Sequence, residues 1–170
     1  MEEVPFEVLS DFPETGDLSD QVGGDVIEGA KGVGFKIQNV EPRVFEKEGV
    51  KLNAKLNVRA SIGPLGVDGN GKYANKNLFA ELLTWYNQDT YTSEWWKKQA
   101  RFPYKAFLKA MGFNPAEPPK ITDEFLISLK GREFFADIRK VEIRDKNEEG
   151  KYIGTGDFKN ELSNFKTVEA

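Results

Sequence analysis

Between residues 51 and 63 the chain reads KLNAKLNVRASIG. Leu52, Ala54, Leu56, Val58, Ala60 and Ile62 alternate strictly with Asn53, Lys55, Asn57, Arg59 and Ser61. A period of two predicts a strand with one face in a core and the other polar and carrying two cations. Upstream, Val33, Phe35 and Ile37 alternate, the phase slips at Gln38-Asn39, and alternation resumes at Val40 and Val44. That is how a β-bulge reads in sequence, and bulges let a sheet bend enough to close. Residues 46–49 form the turn between these two strands. Residues 77–86, NLFAELLTWY, predict a third strand. It places Leu78, Ala80, Leu82 and Thr84 on one side and Phe79, Glu81, Leu83 and Trp85 on the other, and period alone does not choose the buried side. Residues 63–76, GPLGVDGNGKYANK, read as a mobile Gly-rich connection that fits no phosphate-binding fingerprint.

The spacing then lengthens to that of a helix. Thr92 or Ser93 is a suitable N-cap, and the helix runs to Phe102, where Pro103 either kinks it or begins a second one. Tyr104, Phe107, Leu108 and Met111 fall at i, i+3, i+4 and i+7, with Gly112 as a stop. At about 100° per residue, Trp96, Ala100, Tyr104, Phe107 and Met111 share one apolar arc, while Lys97, Arg101, Lys105 and Lys109 form a basic ladder beside it. Trp95 falls off the arc, near Phe102, so the two adjacent tryptophans are expected to do different jobs. After a proline-rich connection at 114–120 come Phe125, Ile127 and Leu129, then the long strand GREFFADIRKVEIRD with a second phase slip between Ile138 and Val141. A hairpin turn at 145–150 and a final stretch through Leu162, Phe165 and Val168 complete the chain. The order is three strands, a helix, then two or three strands. The predicted fold is mainly β with one or two helices: an OB-fold, the five-stranded Greek-key barrel with a helix between strands three and four, whose binding face is built on strands two and three.

Charge divides the 170-residue chain. The first 30 residues hold nine Asp and Glu and no Lys or Arg, which leaves 19 acids against 24 bases, net +5, in residues 31–170. We therefore expect an acidic N-terminal arm, residues 1–30, with one short docked stretch around Phe6, Val8, Leu9 and Phe12, and an OB-fold domain over residues 31–170. The arm either serves a nucleic-acid-handling protein or simply solubilises a terminus. The chain has no Cys and no His, which removes disulfides, thiolate metal sites, Ser-His-Asp triads and the commonest metal ligand. No enzymatic activity, cofactor or metal is expected. No apolar run approaches membrane-spanning length and no leader is visible, so a cytoplasmic protein without membrane contact is expected.

The paired strands VGFKIQNVEPRVF and KLNAKLNVRASIG, the strand KNLFAELLTW ahead of the helix, YKAFLKAMGF closing it and LISLKGREFFADI together resemble the bacteriophage single-stranded-DNA-binding proteins with an OB-fold. The likeness spans residues 32–168. It implies sequence-nonspecific binding of single-stranded DNA in phage replication or recombination, in the host cytoplasm, with replication or recombination proteins as partners and an oligomer as one arrangement. Proteins of this class commonly carry an acidic C-terminal tail that recruits partners. This chain ends NFKTVEA and holds its acid at the other end, so that mode of recruitment does not carry over.

Binding a single strand without sequence preference requires cations for phosphates and aromatic faces for bases. The cationic candidates are Lys55 and Arg59 on the second strand, Lys72 and Lys76 in the loop, and Lys97, Lys98, Arg101 and Lys105 on the helix, of which Lys98 and Arg101 are the site residues expected there. The stacking candidates are Tyr73, Trp85, Tyr86 and Trp95, with Tyr91 beside them. Against these stand plainer roles: a solvated polar strand face, a solvated helix face, and aromatics packed between helix and barrel. Two other functions remain open on the same residues. One is a protein-interaction module that uses an OB scaffold and the acidic arm; the other is a metal-dependent nuclease built on acids such as Glu81, Asp123 or Asp137, whose spacing forms no convincing motif.

Overall fold

Five strands form one antiparallel sheet in the order β3-β2-β1-β4-β5: β1 (Ala30–Lys47), β2 (Val50–Ile62), β3 (Asn77–Tyr86), β4 (Glu133–Lys146) and β5 (Tyr152–Thr167). The computed structural model describes residues 26–168. The expected docked stretch around Phe6 to Phe12 lies outside them. Glu48 and Gly49, both at positive φ (52° and 80°), make the two-residue turn that joins β1 to β2 with the twist a hairpin needs. The phase slip at Gln38-Asn39 is a register shift between Ile37 and Asn39. The edge strands β3 and β5 curl toward each other until Cα atoms lie within 8 Å, without a ladder between them.

Two helical units cross between β3 and β4. The first is α1 (Glu94–Lys98) followed by α2 (Phe102–Ala110), and the second is the short α3 (Asp123–Leu129). The expected helix is interrupted at residues 99–101 and restarts with Pro103 in its first turn, where a missing N–H costs nothing. Phe125, Ile127 and Leu129, which fit a period of two, lie on α3 instead. The Thr122 hydroxyl accepts the Phe125 N–H at 3.1 Å, Asp123 and Glu124 occupy the first turn, and Phe125 and Leu129 turn inward one helical turn apart while Ile127 faces out.

The concave face of the sheet holds the main core. Phe35 stacks on Phe134 at 5.3 Å, and Phe107 of α2 meets Phe134 and Phe165 edge-on, so α2 closes the core against β4 and β5. Ile27, within the stretch expected to be an arm, is buried in this core. The Asn160 side chain clips it there, accepting the Ile27 N–H at 2.9 Å and donating to its carbonyl at 2.7 Å. The second phase slip corresponds to no bulge at that point, since the β4 register shifts lie between Phe135 and Asp137 and between Glu142 and Arg144. Beyond Ile138, β4 pairs with β5 alone, and a two-stranded ribbon has no buried face for the pattern to follow.

Asp137 ties three strands together. It accepts the Gly32 N–H at 2.9 Å and the Asn164 side-chain amide at 2.7 Å. The Asn164 bond first, then the Gly32 N–H, hold its carboxyl below the ordinary value of 3.8. The folded chain thus binds this proton more weakly than the unfolded one, and the stabilisation is complete above pH 3.8 and lost as pH falls through the lower folded value. Asp137→Asn should lower stability near neutral pH by on the order of 1 kcal/mol and flatten the acid limb. Urea midpoints of both proteins between neutral and acid pH check this.

Candidate nucleic-acid interface

The polar positions of β2 point to the convex face of the sheet, where register aligns them in rows with β1 and β3. Phe45, Asn53 and Tyr86 form one row; Arg43, Lys55 and Leu83 the next; then Glu41, Asn57 and Glu81; then Asn39, Arg59 and Phe79. The alternation predicted this face, yet half of it is covered. Residues 87–101 fold back over the first two rows, and Trp96 inserts against Tyr86, Tyr91 and Leu83. A second, smaller core of Leu52, Leu83, Tyr86, Tyr91, Trp96 and Ala100 results.

That cover corrects two of the expected site residues. Lys55 is 3% exposed, and its ammonium lies 3.4 Å from a Glu81 carboxylate oxygen. Its long stem is sealed beneath the second core, and its charge meets the Glu81 carboxylate, which itself reaches solvent. Tyr86 is buried among Tyr91 and Trp96 and offers no open ring face. Tyr91 is equally enclosed; its hydroxyl accepts from the Asn53 amide at 3.1 Å, and burial raises its pKa.

The remaining candidates fall into two groups toward opposite ends of β2 and β3, with Trp85 and Phe79 six residues apart on β3, roughly 20 Å at about 3.3 Å per strand residue. At the covered end, Trp85 (46% exposed) and Trp95 (37% exposed) reach the surface, and the Arg101 guanidinium sits 6.0 Å from the Tyr86 ring centroid. Lys98 is exposed but pairs with Glu94 at 3.4 Å. At the other end Arg59 is exposed, with half-buried Phe79 directly across the ladder and Lys36 one row on. Lys36 was not among the expected site residues, and Phe79 was expected to pack rather than to bind. The signal for Lys36 lies in the phase, since it alternates with Phe35 and Ile37 on the polar side of β1.

Lys72, Tyr73 and Lys76 belong to the same end. Their loop is braced by hydrogen bonds of its own. The Asp68 carboxylate accepts the Asn70 and Lys72 N–H groups, and these bonds lower its pKa. Gly66 (φ 65°) presses so closely on residues 71–72 that a Cβ there would collide with the Lys72 carbonyl oxygen. Tyr73, at φ 61°, leans on the main core with the Lys72 ammonium 5.4 Å from its ring centroid. Lys76 anchors the return to β3 through its carbonyl, which accepts the Ile62 N–H at 2.9 Å. Among the described residues there is no cluster of three acids suited to a metal ion, and no helix long and apolar enough to cross a membrane. Neither a family model nor any curated protein matches the chain.

Proposed function

We propose that this protein binds single-stranded DNA without sequence preference, as a non-enzymatic protein of the kind used in phage replication or recombination. The observation that carries the reading is the open end of the convex face. There Arg59, Phe79 and Lys36 lie beside a hydrogen-bonded loop bearing Lys72 and Lys76, a cation-and-aromatic arrangement suited to a phosphate backbone and unpaired bases. The strand order, the helices between β3 and β4 and the approach of the two edges support an OB-type barrel as its scaffold. The net +5 of residues 31–170 supports an anionic partner.

Oligo-dT titration by fluorescence polarisation tests this. For three to five neutralised phosphates, affinity should fall roughly 20- to 120-fold between about 50 and 200 mM salt. Arg59→Ala should weaken binding and reduce the slope of log affinity against log salt by about 0.7. No binding at low salt, or binding indifferent to salt, would sink the reading.

A further inference from the structure

The convex face does not stop at β1. Gly63 donates its N–H to the Gly34 carbonyl at 2.9 Å, and Gly34 pairs across the ladder with Phe135 of β4, which pairs in turn with Lys166 of β5. Phe134 and Phe35, the neighbours of Phe135 and Gly34, are buried in the core, so this row faces outward. Two adjacent glycines leave a strip of bare backbone. Phe135 stands at its edge, 38% exposed, with ring atom Cε1 3.6 Å from where a Cβ on Gly34 would sit. A Cβ at 34 would meet the ring at ordinary van der Waals distance, so the ring already lies against the glycine. Lys36 lies in the next row opposite Glu133. Lys31 and Lys166 stand close enough to Asp137 to help hold it ionised, and that acid is already bonded to Gly32 and Asn164.

We propose that Phe135, beside the bare strip of Gly34 and Gly63, is a stacking platform for one base of the bound single strand, with Lys36 and Lys166 flanking it for phosphates. The strand then runs diagonally from Phe79 and Arg59 across β1 onto β4, instead of following β2 and β3 to their covered end. With strands about 4.8 Å apart and two rows of offset, the path from Phe79 to Phe135 is roughly 20 Å, a span suited to the few nucleotides such a fold engages. The inference rests on the nucleic-acid reading above.

Phe135 also has a structural use, since aromatic side chains shield glycines in neighbouring strands. Leucine would shield Gly34 equally but offers no π face. In the full chain, Phe135→Leu should therefore weaken oligo-dT binding at low salt at least fivefold, with an unchanged melting temperature, and Phe135→Trp should restore binding to within twofold of wild type. An abasic deoxyribose-phosphate oligomer of the same length should bind wild type and Phe135→Leu alike. Undiminished oligo-dT binding by Phe135→Leu, or an equal loss on the abasic oligomer, overturns the platform while leaving the nucleic-acid reading standing. If wild type itself binds no oligo-dT, both fall.

Discussion

Trp96→Ala should cost about 3–5 kcal/mol locally, as expected for a buried aromatic cut back to a methyl, and detach residues 87–101 from the sheet. The α1 helix has five residues and no side-chain cap bond, far too short to persist without tertiary contacts. What holds it is the Trp96 ring, whose centroid lies 4.0 Å from that of Tyr91 and 5.5 Å from that of Tyr86, with Trp95 edge-on at 5.2 Å. The main core shares none of these residues. Its loss should therefore appear as local opening rather than global unfolding. In hydrogen exchange, the amides of residues 91–100 should lose protection while those of β1 and β2 around Ile37 and Val58 keep theirs. Near-ultraviolet circular dichroism should collapse toward a spectrum lacking the aromatic cluster. Trp95→Ala, at a partly exposed position, should change stability by about 1 kcal/mol or less. A Trp96→Ala protein with wild-type protection throughout residues 91–100 would show that the second core is not what fastens this segment.

This two-core arrangement explains which features were legible in the sequence. The strands of the main core announce themselves because one face is wholly buried and the other wet, as Leu56, Val58, Ala60 and Ile62 do against Arg59 and Ser61. The bulge at Gln38-Asn39 was readable for the same reason, since a buried face fixes the phase. The five strands and the split between Trp95 and Trp96 follow from such periods. The covering of Asn53 and Lys55 does not. Both are polar, both obey the alternation, and their burial depends on a segment about 40 residues further on folding back over them. The α3 helix was hidden because Phe125, Ile127 and Leu129 satisfy a two-residue period, while the bond that decides the matter runs from a backbone N–H to the Thr122 hydroxyl. The candidate site was legible in composition, as cations and aromatics near β2, and illegible in location. Which end of the sheet stays open is decided by tertiary cover, and no local pattern records that.

Lys55 offers the second large effect, and its sign separates a structural lysine from a phosphate contact. Its partner Glu81 is 35% exposed, so the pair is sealed from the lysine side only. Glu81→Ala would leave an ammonium in a dry site without that acid. The expected cost is about 3 kcal/mol, the lower end for breaking a buried pair because water reaches the glutamate. Lys55→Met keeps the unbranched stem and removes the charge, and should be neutral or more stable by about 1 kcal/mol, since hydrophobic replacements of buried ions commonly are. The double variant should match Lys55→Met, giving a coupling equal to the Glu81→Ala cost, about 3 kcal/mol, in a double-mutant cycle of urea unfolding. Oligo-dT affinity supplies the functional half of the test. Lys55→Met should bind within twofold of wild type with the same salt slope, whereas Arg59→Ala, four residues along the same strand face, should lose both affinity and slope. A Lys55→Met protein that folds well yet loses about 0.7 of salt slope would mean that the second core opens when nucleic acid binds, and that the buried ammonium is a phosphate contact held in reserve.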